Sequence, residues 1–159
     1  MPARSQRITT LNGDGSDGWD LFYRARAMIE SGVPVTELTI GEHDIRTDPS
    51  ILRAMHDSAM AGHTGYAIVP GIGALRDEVA ARIEARTGVR TGRENVLITP
   101  GGQAGLFAAH MAACAPGDVA LYIDPYYATY PGVLRAVGAQ PRAVPTRSSR
   151  GFLPDRAAL

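Results

Sequence analysis

"ITPGGQAGL", residues 98 to 106, decides how this chain is read: an apolar, strand-like run meets two glycines and continues directly into an apolar, helix-like run. At such a turn the first amides of the helix lack intrahelical carbonyl partners, and the helix dipole adds positive potential at the same end. With no side chains at Gly101 and Gly102, an anion can approach those amides closely. The turn is therefore a candidate phosphate cradle. Taken alone, a double glycine is equally well read as a tight strand-to-helix connection.

Working outward, "NVLIT" (95–99) and "DVALYI" (118–123) are continuous apolar runs without alternation, which suits strands covered on both faces. The helix expected over 102–115 between them is apolar nearly all round apart from His110, so it too is expected to be buried. A helix over 127–137 and a strand at "QPRAV" (140–144) follow. Strand, helix, strand, helix, strand is the pattern of an α/β domain with a mainly parallel sheet flanked by helices. Three candidate strands make a small sheet with an exposed edge, so the segment is expected to be part of a larger, truncated domain.

Toward the N-terminus, residues 1–17 are polar and contain "NGDGSDG". They are expected to be a flexible arm ending at a helix cap on Ser16 or Asp17. Trp19, Phe22, Tyr23 and Ala27 then mark one face of a helix that Gly32 closes. Past "TELTI" and the loop "GEHDIRTDP", Asp48 before Pro49 predicts a cap and first turn, with Ile51, Leu52, Met55 and Ala59 on the buried side. Residues 62–73, with four glycines and a proline, are expected to form a structured loop. A helix over about 72–87 carries Leu75, Val79 and Ile83 on one face and a Glu78–Arg82 pair, with Gly88 past its end. The organisation expected is an arm (1–17), a helix and substrate-side loop (18–47), and part of a ligand-binding domain (48–159).

Composition narrows the partners. The length suits one ordinary domain, and sixteen acidic residues balance sixteen basic ones, so no overall field favours nucleic acid or an anionic membrane. No apolar run reaches the roughly 18 residues of a membrane span, and there is no signal-peptide core. The single cysteine, Cys114, cannot form an internal disulfide, which fits a reducing, cytoplasmic setting. The expected partner is a small molecule.

Other motifs fail on detail. All sixteen basic residues are arginines, and without a lysine the P-loop pattern is excluded. In "GIGALR" Arg76 stands where a dinucleotide fingerprint requires its third glycine, and "YAIVP" before it is not a strand. His110 and Cys114 share a helix face, with His56 and His63 elsewhere, yet a core histidine with a backbone partner accounts for His110 better than a metal site. Glu42, Asp44 and Asp48 read as a solvated loop with a helix cap. No serine sits in a nucleophile elbow.

In order, "LTIGEHDIRTDPSILRAM", "TGYAIVPGIGALRDEVAARI", "ENVLITPGGQAGLFAA" and "PGDVALYIDPYYATYPGVLRAVGAQPRAV" resemble the N-terminal half of the large domain of class I and II aminotransferases. These are fold type I enzymes that use pyridoxal 5′-phosphate. The resemblance implies that Gly101, Gly102 and Gln103 cradle the cofactor phosphate and that Tyr127 stacks on the pyridine ring; without it, Tyr127 reads as core packing, as Tyr126 and Tyr130 do. It implies that Tyr66 reaches across a homodimer to the neighbouring cofactor, and that Gly41 lies near the substrate carboxylate, although from the residues alone Gly41 reads equally well as a turn glycine. The sequence departs from the family pattern at His43, where proline is common, and at Ile45, where an aromatic is common.

The resemblance implies transfer of an amino group between an amino acid and a 2-oxo acid, which requires a Schiff-base lysine that also moves the substrate proton. This chain has no lysine, so no catalytic residue is assigned and the chain alone is expected to be inactive. The expectation is an N-terminal portion of such an aminotransferase, poorly soluble by itself, with lyase or decarboxylase chemistry on the same scaffold left open. The alternative is a lysine-free homologue acting as a non-catalytic binding or interaction module.

Overall fold

The computed structural model describes residues 3–13, 15 and 18–156. The architecture is α/β, and its described parts fall into two units, one of Met1–Gly41 with Gly102–Leu159 and one of Glu42–Gly101.

In the first unit, β1 (Val119–Asp124) and β2 (Gln140–Pro145) pair in parallel, from Val119 opposite Gln140 to Asp124 opposite Pro145. The crossover between them is a helix, Tyr130–Ala136, three residues shorter at its start than the expected 127–137. Pro131 sets that start: in a helix begun at Tyr127 it would sit in the interior, without an N–H and against the carbonyl one turn back, whereas in the first turn it costs nothing. Leu134, Val137 and Ala139 form the core, with Cys114, Ala120 and Tyr122 packed on it. Val144 on β2 is 1% exposed.

Numbered along the chain, α1 is Gln6–Thr9, α2 Trp19–Glu30, α3 Pro49–Met60, α4 Gly73–Thr87, α5 Gly102–Ala113 and α6 the crossover helix. The turn α1 lies within the segment expected as an arm; Ser5 caps it, and Arg135 of α6 donates to the Leu11 carbonyl at 2.9 Å. Helix α2 begins after Gly18 and closes at Ser31 and Gly32. The expected caps Ser16 and Asp17 lie outside the described residues. Ala25 is the buried residue of α2, while Tyr23, expected on the inner face, is exposed.

Helix α5 departs from expectation: although apolar almost all round, it contains no buried residue, and Phe107 and Met111 remain exposed. Within its unit it packs on α6. A hollow of about 530 Å³ remains beside it, lined by Leu106, His110, Leu121, Leu134 and tyrosines of residues 122–130. No helix of the described residues is long and apolar enough to cross a membrane.

In the second unit, α3 starts as expected, with Asp48 Oδ1 accepting from the Ser50 amide at 2.8 Å and the Ser50 hydroxyl at 2.6 Å. Helix α4 ends at Gly88, and Arg82 pairs with Glu78 at 2.7 Å. Residues 96–99, expected as a strand, join no ladder among the described residues. Some of their polar groups are bonded otherwise: the Ile98 amide donates to the Pro70 carbonyl at 3.0 Å, and the Val96 carbonyl accepts from Arg76 Nε at 2.9 Å. Arg76 also donates to the Arg93 carbonyl at 2.5 Å, and Arg93 binds Asp77, so two arginines fasten the 3-10 turn Arg93–Asn95 to α4. The residue that breaks the dinucleotide pattern is thus a structural clamp.

Candidate functional site

The turn that opens α5 is built from short-range bonds. The Gly101 amide donates to the Thr99 carbonyl at 2.8 Å, and Thr99 Oγ1 donates back to the Gly101 carbonyl at 3.0 Å. Gly101 has φ +85°, a left-handed conformation that glycine adopts without strain, and α5 begins at the next residue. A Cβ built on Gly101 or Gly102 meets no atom within 4 Å. The leading amides of α5, from Gly102 and Gln103, are suited to an anion. A phosphate-bearing cofactor therefore fits this turn.

Gln103, the third cradle residue, donates through its side-chain amide to Thr129 Oγ1. That bond ties the first turn of α5 to the loop after β1, which carries Tyr127. Nothing in the sequence pattern singled out Thr129; its only signal is a hydroxyl two residues past that tyrosine.

The tyrosine cluster divides as its neighbours dictate. Tyr126 packs edge-on against Tyr122, with ring centroids 4.7 Å apart and planes at 76°. Burial, and next the neighbouring Tyr126, push the Tyr122 phenol above its usual range near 10. Tyr130 is half-buried, and its ring lies 6.0 Å from that of Tyr127, a residue 58% exposed. Tyr127 is thus the ring of the cluster best placed to offer a face to a ligand.

Gly41 and Tyr127, 86 residues apart in sequence numbering, line one small cavity together with Trp19 and Thr129. Of the sequence-derived site residues, Gly102, Gln103, Gly41 and Tyr127 fall in the first unit. Gly101 closes the second, where Tyr66 stands fully exposed in the glycine-rich loop. His110 Nδ1 lies 2.6 Å from the Leu106 carbonyl on its own helix, the backbone partner expected of it. Among the described residues no group of three metal-ligating side chains comes together.

Residues 33–159 match the family model for aminotransferase class I and II. The chain is 40% identical over 148 residues to the arginine–pyruvate transaminase of Pseudomonas aeruginosa, covering 93% of this chain and 37% of that one. It is 32% identical over 132 residues to the aspartate/prephenate aminotransferase of Thermus thermophilus, covering 83% and 34%. Its fold superposes on the aspartate aminotransferase of Thermus thermophilus solved with maleate at a TM-score of 0.90, with 29% identity, over 99% of this chain and 41% of that one. The chain thus spans 34–41% of the length of these proteins.

Proposed function

The chain belongs to the class I and II aminotransferase family, and from that premise we propose that it is the N-terminal portion of a pyridoxal-phosphate-dependent enzyme moving an amino group between an amino acid and a 2-oxo acid. The observation that carries this reading is the open helix start at Gly101–Gly102, lying within the stretch that the family model matches.

In this reading the leading amides of α5, from Gly102 and Gln103, receive the cofactor phosphate, and the glycine at 101 keeps their approach clear. The Gln103–Thr129 bond holds the phosphate end in register with Tyr127, whose exposed ring stacks on the pyridine. Gly41, across the shared cavity from Tyr127, admits the substrate carboxylate close to the backbone. Tyr66 reaches the phosphate bound by a second subunit of a homodimer. The cofactor, when bound, supplies an electron sink for negative charge at the substrate α-carbon. The amine that anchors it and carries the proton comes from outside these 159 residues, which contain no lysine, so the segment alone does not transaminate.

Residues 1–17 serve as an arm, 18–47 as a helix and substrate-side loop, and 48–159 as part of the large domain of a cytoplasmic enzyme. Arginine and aspartate, after which two of the relatives are named, are candidate amino donors in this reading. The absence of lysine supports one competing reading, a non-catalytic binding module.

The test is to purify the parent polypeptide that carries this segment. It is expected to be yellow, to bleach on addition of an amino donor and to regain colour with a 2-oxo acid. A colourless parent without transamination defeats the proposal. A well-folded 159-residue product in the source cells, as the only species, favours the binding module.

A further inference from the structure

We propose that Arg135 is a positioning residue for the cofactor site: it straps residues 11–13 onto α6, and the strap walls the hollow that Gln103 lines. The proposal rests on the aminotransferase reading above. Residues 5–13 are bonded mainly to themselves, the Thr9 amide donating to the Ser5 carbonyl at 3.2 Å, Thr10 to Gln6 at 3.1 Å and Gly13 to Thr10 at 3.0 Å. A helix of four residues is too short to hold its shape unaided. What places it is α6. Gly132 and Arg135, three residues apart, share a face of that helix. A Cβ built on Gly132 would lie 3.8 Å from the Leu11 carbonyl oxygen, and the same oxygen accepts from Arg135 Nη1 at 2.9 Å. Gly13, at φ +62°, lies against the guanidinium, where a Cβ would come within 3.1 Å of Nη2.

A peptide carbonyl is an uncommon partner for a half-buried arginine. No acidic side chain lines the two hollows that Arg135 borders, one shared with Gln103 and the other with Arg7. Among the described residues the guanidinium forms no ion pair. Its one hydrogen bond is therefore spent on the strap. A charged donor makes a stronger bond than a neutral one, and neither partner titrates near neutral pH, so the fastening is permanent rather than switched.

The strap matters because of what lies under it. The hollow shared with Gln103 has a volume of about 480 Å³, with Leu11 and Asn12 on the strap side and Gln103 and Thr129 on the cradle side. Gln103 and Thr129 are the pair whose side-chain bond ties the first turn of α5 to the loop carrying Tyr127. Water competes for such a bond wherever it can reach it. With the strap in place that side of the hollow is walled. With the strap loose, solvent gains the pair, and the turn whose amides receive the phosphate loses its tie to the stacking ring. Arg135 thus acts on the cofactor at second hand, through Leu11 and then Gln103.

The experiment is made on the parent holoenzyme with two readouts: amide exchange over residues 5–13, and the rate at which bound-cofactor colour is lost in cofactor-free buffer. Arg135→Met keeps an apolar stem and removes the donors, so it is expected to raise exchange over 5–13 and to speed cofactor release about fivefold or more, with α3 unchanged. Arg135→Lys, which keeps a charged donor, should recover most of the lost retention. A parent deleted of residues 3–12 should release cofactor as fast as Arg135→Met, and Arg135→Met made in that background should add less than about twofold, because both act through one set of contacts. Unchanged exchange over 5–13, a loosened strap with wild-type release, a lysine variant no better than methionine, a loss of protection that extends to α3, or an undiminished effect in the deleted parent each overturns the proposal while the coloured, active parent keeps the aminotransferase reading. A parent that binds no cofactor overturns both. Should Arg135→Met fail to fold, Gly13→Ala, which presses a Cβ on the guanidinium, takes its place: exchange over 5–13 and cofactor release that rise together support the proposal, and any other result overturns it.

Discussion

Gly62 and Gly71 share similar backbone angles, φ +91° and +100°, in very different surroundings. A Cβ at Gly62 meets open space, whereas one at Gly71 would lie 2.6 Å from Ile98 Cγ1. Gly62→Ala is therefore expected to cost only the left-handed backbone penalty, roughly 1–2 kcal/mol. Gly71→Ala should cost clearly more in denaturant unfolding and loosen residues 96–99; equal costs would show that the close approach to Ile98 does not matter. Asp48 offers a second residue-level check. Hydrogen bonds from the Ser50 hydroxyl, then from its amide, hold the carboxyl below its usual 3.8. A depressed carboxyl stabilises the fold above its unfolded value and loses that contribution as pH falls through the folded one. Amide protection in the first turn of α3, relative to the intrinsic exchange rate at each pH, should thus fall below about pH 3.8 in the wild type, and at all pH values in Asp48→Ala. Asp48 was legible in the sequence because cap and proline are neighbours, so local chemistry decides the geometry. Thr129 was not, because it gains its partner, Gln103, only when the folded chain brings the two near.

Elements were readable where their stop signals were local and misread where they depended on neighbours. Gly32 and Gly88 close α2 and α4 as expected. The apolar run at 96–98 looked like a strand, yet composition cannot say whether a partner strand lies alongside. In its unit Arg76 and the 68–71 loop take up its polar groups instead. Arg76→Ala should leave the Val96 and Arg93 carbonyls without their side-chain donor. Hydrogen exchange across residues 93–98 should then rise, with α3 unaffected; unchanged protection would remove the clamp from the account. The all-round apolar character of α5 was likewise plain in the sequence, but what covers such a helix is a matter of the surrounding elements.

For the molecule as a whole, the α/β class and the parallel crossover followed from the order of the runs, while the size of the ladder did not. Two paired strands leave apolar side chains such as Leu121 and Ile123 partly in water, and Ile51, Leu52 and Met55 of α3 are exposed as well. Open apolar surface of this kind favours association. The isolated 159-residue chain is expected to bind a hydrophobic dye, to sediment as more than a monomer, and to unfold over a broad range; a sharp, dye-free, monomeric transition would show that it is self-sufficient. The β1–α6–β2 crossover also bears on the order of events during synthesis. Its contacts lie within residues 119–145, whereas the Arg135–Leu11 bond joins positions 124 residues apart. Short-range contacts close quickly and distant ones late, and chains emerge N-terminus first. Leu11 therefore gains this contact only after α6 has been made, so a residue synthesised early is fixed late.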